Sequence, residues 1–256
     1  MKHTLILILA MCLGACASSG EVENEVDPYE SFNRKMFEVN RFGDKILYKP
    51  FGKAYKAVIP SFARKGINNF FDNLTTPTSA LNNFLQGKPK QGWNELGRFM
   101  FNTTLGVGGL FDVAAKGGME RYDEDFSQTL AVWGLPEGPY LVIPIWGPRT
   151  ALSTAAIPVN FVTDAQRYIQ NSSVRDKLYI LRLIDTRSRL LTTEEIFNKS
   201  KDPYIAFREA YLQNRQFVIH DGDPPVDEDF YFFDDEDEFY DDESYDESAE
   251  EAAPDE

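Results

Sequence analysis

Asp27-Pro28-Tyr29-Glu30-Ser31-Phe32-Asn33-Arg34 opens the folded part of the chain. An aspartate followed by proline, with glutamate three residues on, is the chemistry of a capping box with proline in the first helical turn. Behind it Phe32, Met36, Val39 and Ile46 recur at helical spacing, so a helix is expected from Asp27 to Tyr48. The pattern repeats downstream. Ile67, Phe70, Phe71 and Leu74 fit one helical face, and Trp93, Leu96, Met100 and Thr104 fit another. Val174, Leu178, Leu181, Ile184, Ser188 and Leu191 form a longer stripe with arginines around it. Thr192-Thr193-Glu194-Glu195 reads as a second capping box that restarts a helix, and Asp202-Pro203 opens the last one, carrying Tyr204, Phe207, Tyr211 and Leu212. No alternating run is long enough for a sheet beyond a short hairpin near 138–146. The expected fold class is therefore mainly α, a single helical domain over residues 27–220.

One stretch departs from a water-soluble bundle. Phe126–Pro136, Gly138–Pro148 and Thr150–Thr163 are each free of charge and separated only by Glu137 and Arg149. Pro136, Pro139, Pro144, Pro148 and Pro158 forbid one long helix through it. Two readings fit equally: a segment lining an apolar passage or dipping into a bilayer, and an ordinary buried core segment. Leu105-Gly106-Val107-Gly108-Gly109-Leu110-Phe111 fails the dinucleotide fingerprint, since Phe111 stands where the last glycine belongs; its glycines suit a tight turn. Between Asp27 and Lys90, Lys45, Lys49, Lys53, Lys56, Arg64 and Lys65 are interleaved with Tyr48, Phe51, Tyr55 and Phe62. That pattern suits an anionic lipid interface or, equally, a solvated helix face.

The ends carry separate messages. Lys2 and the apolar run Leu5–Leu9 read as a signal peptide over residues 1–15, too short to span a bilayer. It ends in Leu13-Gly14-Ala15-Cys16, which resembles the lipobox of bacterial lipoproteins, with Cys16 the expected lipid-attachment residue. Cys12 leaves with the signal peptide, so no disulfide is expected. Residues 16–26 read as a flexible spacer. The absence of an aspartate after Cys16 implies, by the same resemblance, sorting to the cell outer membrane on its periplasmic side. Asp221–Glu256 holds 19 acidic residues and no Lys or Arg; taking these from the net charge of −15 leaves +4 on residues 1–220. A self-repelling block of this kind is expected to be a disordered acidic tail.

Catalytic chemistry has little to stand on. His220 is the one histidine of the mature chain, and no G-x-S-x-G, H-E-x-x-H or Walker-type loop occurs. No enzyme activity, metal site or cofactor is expected, and the acidic tail argues against nucleic acid as a partner.

Asp27–Arg34, Asn83-Phe84-Leu85-Gln86-Gly87, Arg98-Phe99 and Asn102–Ala114 closely resemble the MlaA (VacJ) family, as do Gly138-Pro139-Tyr140, Asp185-Thr186-Arg187, Asp202-Pro203-Tyr204 and Arg208–Tyr211. The resemblance spans about 27–216 and excludes the tail. It implies a ring-shaped, membrane-embedded helical domain that takes mislocalised phospholipid from the outer leaflet of the outer membrane. It further implies a soluble periplasmic lipid carrier and a trimeric porin as partners. Gly138, Pro139, Tyr140, Leu141, Val142, Ile143 and Pro144 match the family's hairpin beside the lipid passage. The competing readings are a structural or adhesive surface lipoprotein acting through its acidic tail, and a phospholipase, which the missing nucleophile motif disfavours.

Overall fold

A computed structural model describes residues 27–225, leaving aside the side chains of residues 195 and 196. The signal peptide, Cys16, the spacer to residue 26 and the tail beyond Pro225 lie outside the described residues. Among the described residues ten α-helices and one hairpin follow in order: α1 (Glu30–Gly43), α2 (Lys49–Val58), α3 (Ser61–Leu85), α4 (Pro89–Thr104), α5 (Val113–Lys116), α6 (Phe126–Val132), β1 (Tyr140–Ile143), β2 (Gly147–Thr150), α7 (Ala151–Ala155), α8 (Ile157–Thr163), α9 (Ser172–Lys199) and α10 (Pro203–Ile219), with a short 3-10 turn, Ala165–Tyr168, before α9.

Helices α1 and α2 are joined by a π-helical stretch, Asp44–Tyr48, with helical backbone at both junctions. Pro50 has no N–H to continue the ordinary ladder, and the widened turn absorbs the mismatch. Helix α3 runs through Pro77; the hydroxyls of Thr75 and Thr76 donate back to the Asp72 carbonyl at 2.8 and 3.0 Å beside that break. Asp202 caps α10 as expected, accepting from the Tyr204 and Ile205 amides.

Two expected caps are used otherwise. Asp27 does not cap α1, whose preceding residue is Tyr29. Its carboxylate is buried and accepts from the Asn33 amide at 2.8 Å, from the Tyr204 hydroxyl, and from Arg208 at 3.3 Å. A partly desolvated cation and a distant hydroxyl outbid the local amides. At Thr192-Thr193-Glu194-Glu195 no helix restarts, because α9 passes through unbroken. Glu194 instead reaches α2 through Lys49 at 2.6 Å.

The hairpin is antiparallel, with Tyr140 opposite Thr150 and Leu141 opposite Arg149. It is pinned to α1 by two asparagines one heptad apart. Asn33 donates to the Tyr140 carbonyl at 3.0 Å and accepts from the Val142 amide at 2.9 Å; Asn40 donates to the Ile143 carbonyl at 3.0 Å and accepts from the Ile145 amide at 2.8 Å. The side chains thus complete the free edge of β1, where another strand would otherwise pair. Beneath it Phe37, Tyr140, Val142 and Tyr204 form a cluster flanked by Met36, Phe207 and Tyr211.

Elsewhere the interior is polar. Helices α3 and α4 bury Asn73, Asn83, Glu95, Arg98 and Asn102, with Phe71 and Ala80 of α3 the buried apolar side chains beside them. Arg98 pairs with Asp112 at 3.0 Å and donates to the Met119 carbonyl, while Asn102 donates to Asp112 at 3.0 Å. The glycine turn seats this layer: Gly109 has φ +92°, and a β-carbon there would strike the Asn73 side chain at 2.6 Å. At Gly52 a β-carbon would meet the Ser188 backbone at 3.4 Å, so α2 and α9 pass close together.

The apolar residues face outward. Trp93 and Met100, half of the α4 stripe, are 69% and 66% exposed, and Phe32 and Val39 of α1 and Ile46 of the π-helical stretch are exposed as well. Among the described residues, buried polar or charged side chains outnumber buried apolar ones by more than two to one. A water-soluble domain has the opposite balance. None of the described helices is long and apolar enough to cross a membrane.

Candidate functional site

A cavity of about 810 Å³ opens between α3, the start of α6, the hairpin turn, α8 and α9. The period-two alternation of the hairpin brings it there. Tyr140 and Val142 point into the aromatic cluster, so Arg149, opposite Leu141, lies on the other face. Trp146 and Arg149 line the cavity. Helix α3 supplies Thr75, Thr78 and Ser79, α8 supplies Ile157 and Phe161, and α9 supplies Tyr179, Arg182, Leu183 and Thr186. Hydroxyls and charges thus share the wall with broad apolar groups.

The carboxylates of the wall are engaged. Glu124 pairs with Lys88 at 3.1 Å and accepts from Gln86 at 2.8 Å. Burial nonetheless pushes its carboxyl above the ordinary value, against the pull of those donors. Asp125 caps α6 through the Gln128 amide at 2.8 Å and accepts from the Ser127 hydroxyl at 2.6 Å. Asp164 holds Arg182 at 3.2 Å. Lys88 also bridges to Asp221 at 2.6 Å, so the first acid of the acidic tail is tied near the cavity rim.

A second space of about 450 Å³ adjoins this one, sharing Phe161 and Tyr179 and adding Arg167, Arg175 and Asp176. The Arg167 guanidinium lies 4.4 Å from the Phe161 ring centre. No cluster of metal-ligating side chains is found among the described residues.

Of the hairpin residues singled out in the sequence, none of Gly138–Pro144 lines the cavity. Tyr140 and Val142 are buried on the opposite face, where they anchor the hairpin to α1 and α10. The cavity is met instead by the turn and the second strand. Pairing register decides this, and register is not visible in a stretch lacking polar alternation. Arg149 carried the available signal: it is the lone charge between two long uncharged runs.

The basic–aromatic stretch divides in the same way. Lys49 is committed to Glu194, and Arg64 donates to the Lys56 and Ile59 carbonyls at 2.8 and 2.6 Å. Lys45, Lys53, Lys56 and Lys65 remain exposed beside exposed Phe51, Val58 and Phe62.

A mainly helical body with polar groups inside, apolar groups outside and an amphipathic cavity is the class of protein these features define. Its family follows from comparison: residues 25–218 match the MlaA lipoprotein family model, and the chain belongs to that family. The "Intermembrane phospholipid transport system lipoprotein MlaA" of Shigella flexneri is 35% identical over 216 residues, covering 82% of this chain and 86% of that protein. The protein of the same description from Haemophilus influenzae is 31% identical over 224 residues, covering 84% and 89%. An uncharacterised protein of Rickettsia typhi is 36% identical over 195 residues, covering 75% and 78%. A solved structure described as "Structural basis for maintenance of bacterial outer membrane lipid asymmetry" matches with TM-score 0.67 and 34% identity, over 75% of this chain and 98% of that one.

Proposed function

We propose that this chain moves phospholipid between membranes and so maintains the lipid asymmetry of the outer membrane, acting as a passive path rather than as an enzyme. The inverted distribution of polar and apolar side chains carries the reading. Exposed Trp93, Met100, Phe62 and Phe51 gain from a hydrocarbon surround, while the buried ion pairs need none. With no described helix long enough to cross, the body sits within one leaflet, held there by lipid on Cys16. Each methylene of such an anchor contributes about 0.8 kcal/mol, so several chains hold it permanently.

The cavity is suited to an amphiphile. Arg149, Tyr179 and the hydroxyls of α3 meet a headgroup; Trp146, Ile157, Phe161 and Leu183 meet the first methylenes of the chains. The hairpin forms one border of that path. Lipid leaving on the periplasmic side passes to a soluble carrier, and the apolar exterior offers a trimeric porin its contact.

The test is outer-leaflet phospholipid, read by surface labelling and detergent sensitivity, in a strain lacking this chain. Re-expression of the full chain is expected to restore the barrier, whereas Cys16→Ala protein is expected to remain unprocessed and fail to restore it. Unchanged surface lipid on deletion would reject the transport reading.

A further inference from the structure

Among the charged side chains of the cavity wall, Arg149 stands apart. Arg182 is paired with Asp164, Glu124 with Lys88, and Asp125 with the start of α6. Among the described residues Arg149 has no carboxylate within ion-pairing distance, and its Nε is buried without a hydrogen-bond partner. The hydroxyl of Tyr179, on the same wall, is buried and unpartnered too. Burial holds that hydroxyl in its neutral, donating form. A half-buried guanidinium with no counter-charge is a costly thing to keep unless an anion completes it.

The position is also well supported. Asn33 and Asn40 staple β1 to α1, and Thr150, next to Arg149, donates its hydroxyl to Glu137 at 2.7 Å. Glu137 in turn takes two hydrogen bonds of 2.9 Å from Arg215. The strand under Arg149 is therefore fixed from both sides, leaving its side chain as the adjustable part.

We propose that Arg149, with the Tyr179 hydroxyl, forms an anion station in the cavity that takes the phosphodiester of a glycerophospholipid in transit. The inference rests on the transport reading and adds the residue that recognises the lipid. A guanidinium fork matches two phosphate oxygens at once. The apolar wall of Trp146, Ile157, Phe161 and Leu183 supplies what a free inorganic anion would not use. Partial pairing elsewhere on the wall keeps the attraction local to Arg149, so a lipid can bind and still leave.

Purified full chain in detergent would be titrated with fluorescent phosphatidylglycerol, whose phosphodiester is its only charge, and with the matched diacylglycerol, which has none. Wild type is expected to prefer the phospholipid, and Arg149→Gln to weaken it about tenfold, the scale of one charge-assisted hydrogen bond, while leaving diacylglycerol unchanged. Arg149→Lys is expected to keep most of the preference, and Tyr179→Phe to lose a smaller part. These two carry the test if the glutamine variant loses its helical circular dichroism. Wild type holding both lipids equally, or Arg149→Gln holding phosphatidylglycerol as tightly as wild type, would overturn the station and leave transport standing. Wild type holding neither lipid would overturn the transport reading and the station with it. Displacement of phosphatidylglycerol by millimolar inorganic phosphate would make this a free-anion site and overturn the lipid assignment.

Discussion

The corner built from α1, the hairpin and α10 and the layer built from α3, α4 and α5 solve the same packing problem in opposite ways. The first has a small aromatic cluster, Phe37, Tyr140, Val142 and Tyr204, with Asp27 and Asn33 satisfied at its edge. The second buries only Phe71, Ala80 and Ala114 among its apolar side chains; Glu95, Arg98, Asn102 and Asp112 form its polar interior while Trp93 and Met100 look outward. In water the second arrangement would be unstable, because exposed apolar area carries the cost and buried charge gives little back. In lipid the balance reverses, since only the polar groups then need one another. The difference shows that helical amphipathicity here is laid out for two surroundings within one domain.

Breaking the polar layer should have the largest effect. Arg98→Leu removes the cation shared by Asp112 and the fully buried Glu95, and loss of one partner from a buried pair costs about 3–5 kcal/mol. The variant is expected to fail to accumulate, measured by steady-state level and thermal unfolding in detergent. Unfolding as late as wild type would mean that these buried pairs are not what holds α4 to the segment around α5.

The aromatic corner should be less sensitive. Asn33→Ala strips partners from Asp27, the Tyr140 carbonyl and the Val142 amide, and leaves buried groups unsatisfied at roughly 2–3 kcal/mol in total. Proteolysis at the hairpin should rise before the rest of the chain opens. A loss as large as that of Arg98→Leu would erase the contrast between the two regions.

A milder test lies where α9 crosses the π-helical stretch and α2. Burial opposes ionisation of Glu194, yet Lys49 and Arg187 bring its carboxyl down to about 2 from an ordinary 4.5. A depressed acid adds stability that is present above about pH 4.5 and lost as pH falls toward 2. Urea midpoints of wild type and Glu194→Gln should therefore differ most at pH 7, less at pH 3, and converge only as pH falls to about 2. A constant difference across that window would detach the effect from titration of Glu194.

The smallest change in stability is expected outside. Phe62→Ser and Trp93→Ser alter side chains that are 77% and 69% exposed, and stability in detergent should move by no more than about 0.5 kcal/mol. Recovery of the non-lipidated body on floated vesicles, after dilution from detergent, should nonetheless fall. Unfolding of either variant in detergent would show that these rings pack inward after all.

Much of the outline was legible from local chemistry. Helix positions followed from 3.6-residue stripes, the start of α10 from Asp202-Pro203, and the hairpin from a proline-broken stretch. The errors were errors of direction. Asp27 looked like a local cap because an acid near a helix start ordinarily is one, and its partner Tyr204 lies 177 residues downstream; Thr192-Thr193-Glu194-Glu195 looked like a capping box, yet Glu194 within it reaches 145 residues upstream to Lys49. Of the candidate site the uncharged stretch was legible, but not which of its residues meet the cavity: Tyr140 and Val142 pack in the aromatic cluster, whereas Trp146 and Arg149 line the cavity.

By itself the sequence determined where helices start, which stretches are apolar and where charge is missing, because these depend on neighbours within a turn or two. Which face of each helix turns inward was decided only by the tertiary structure. A stripe such as Trp93–Met100 is equally regular whether it meets a protein core or lipid, so periodicity cannot name its surroundings. The cavity likewise draws on residues from Thr75 to Thr186, and only packing brings Arg149 to a wall where the neighbouring charges already have partners.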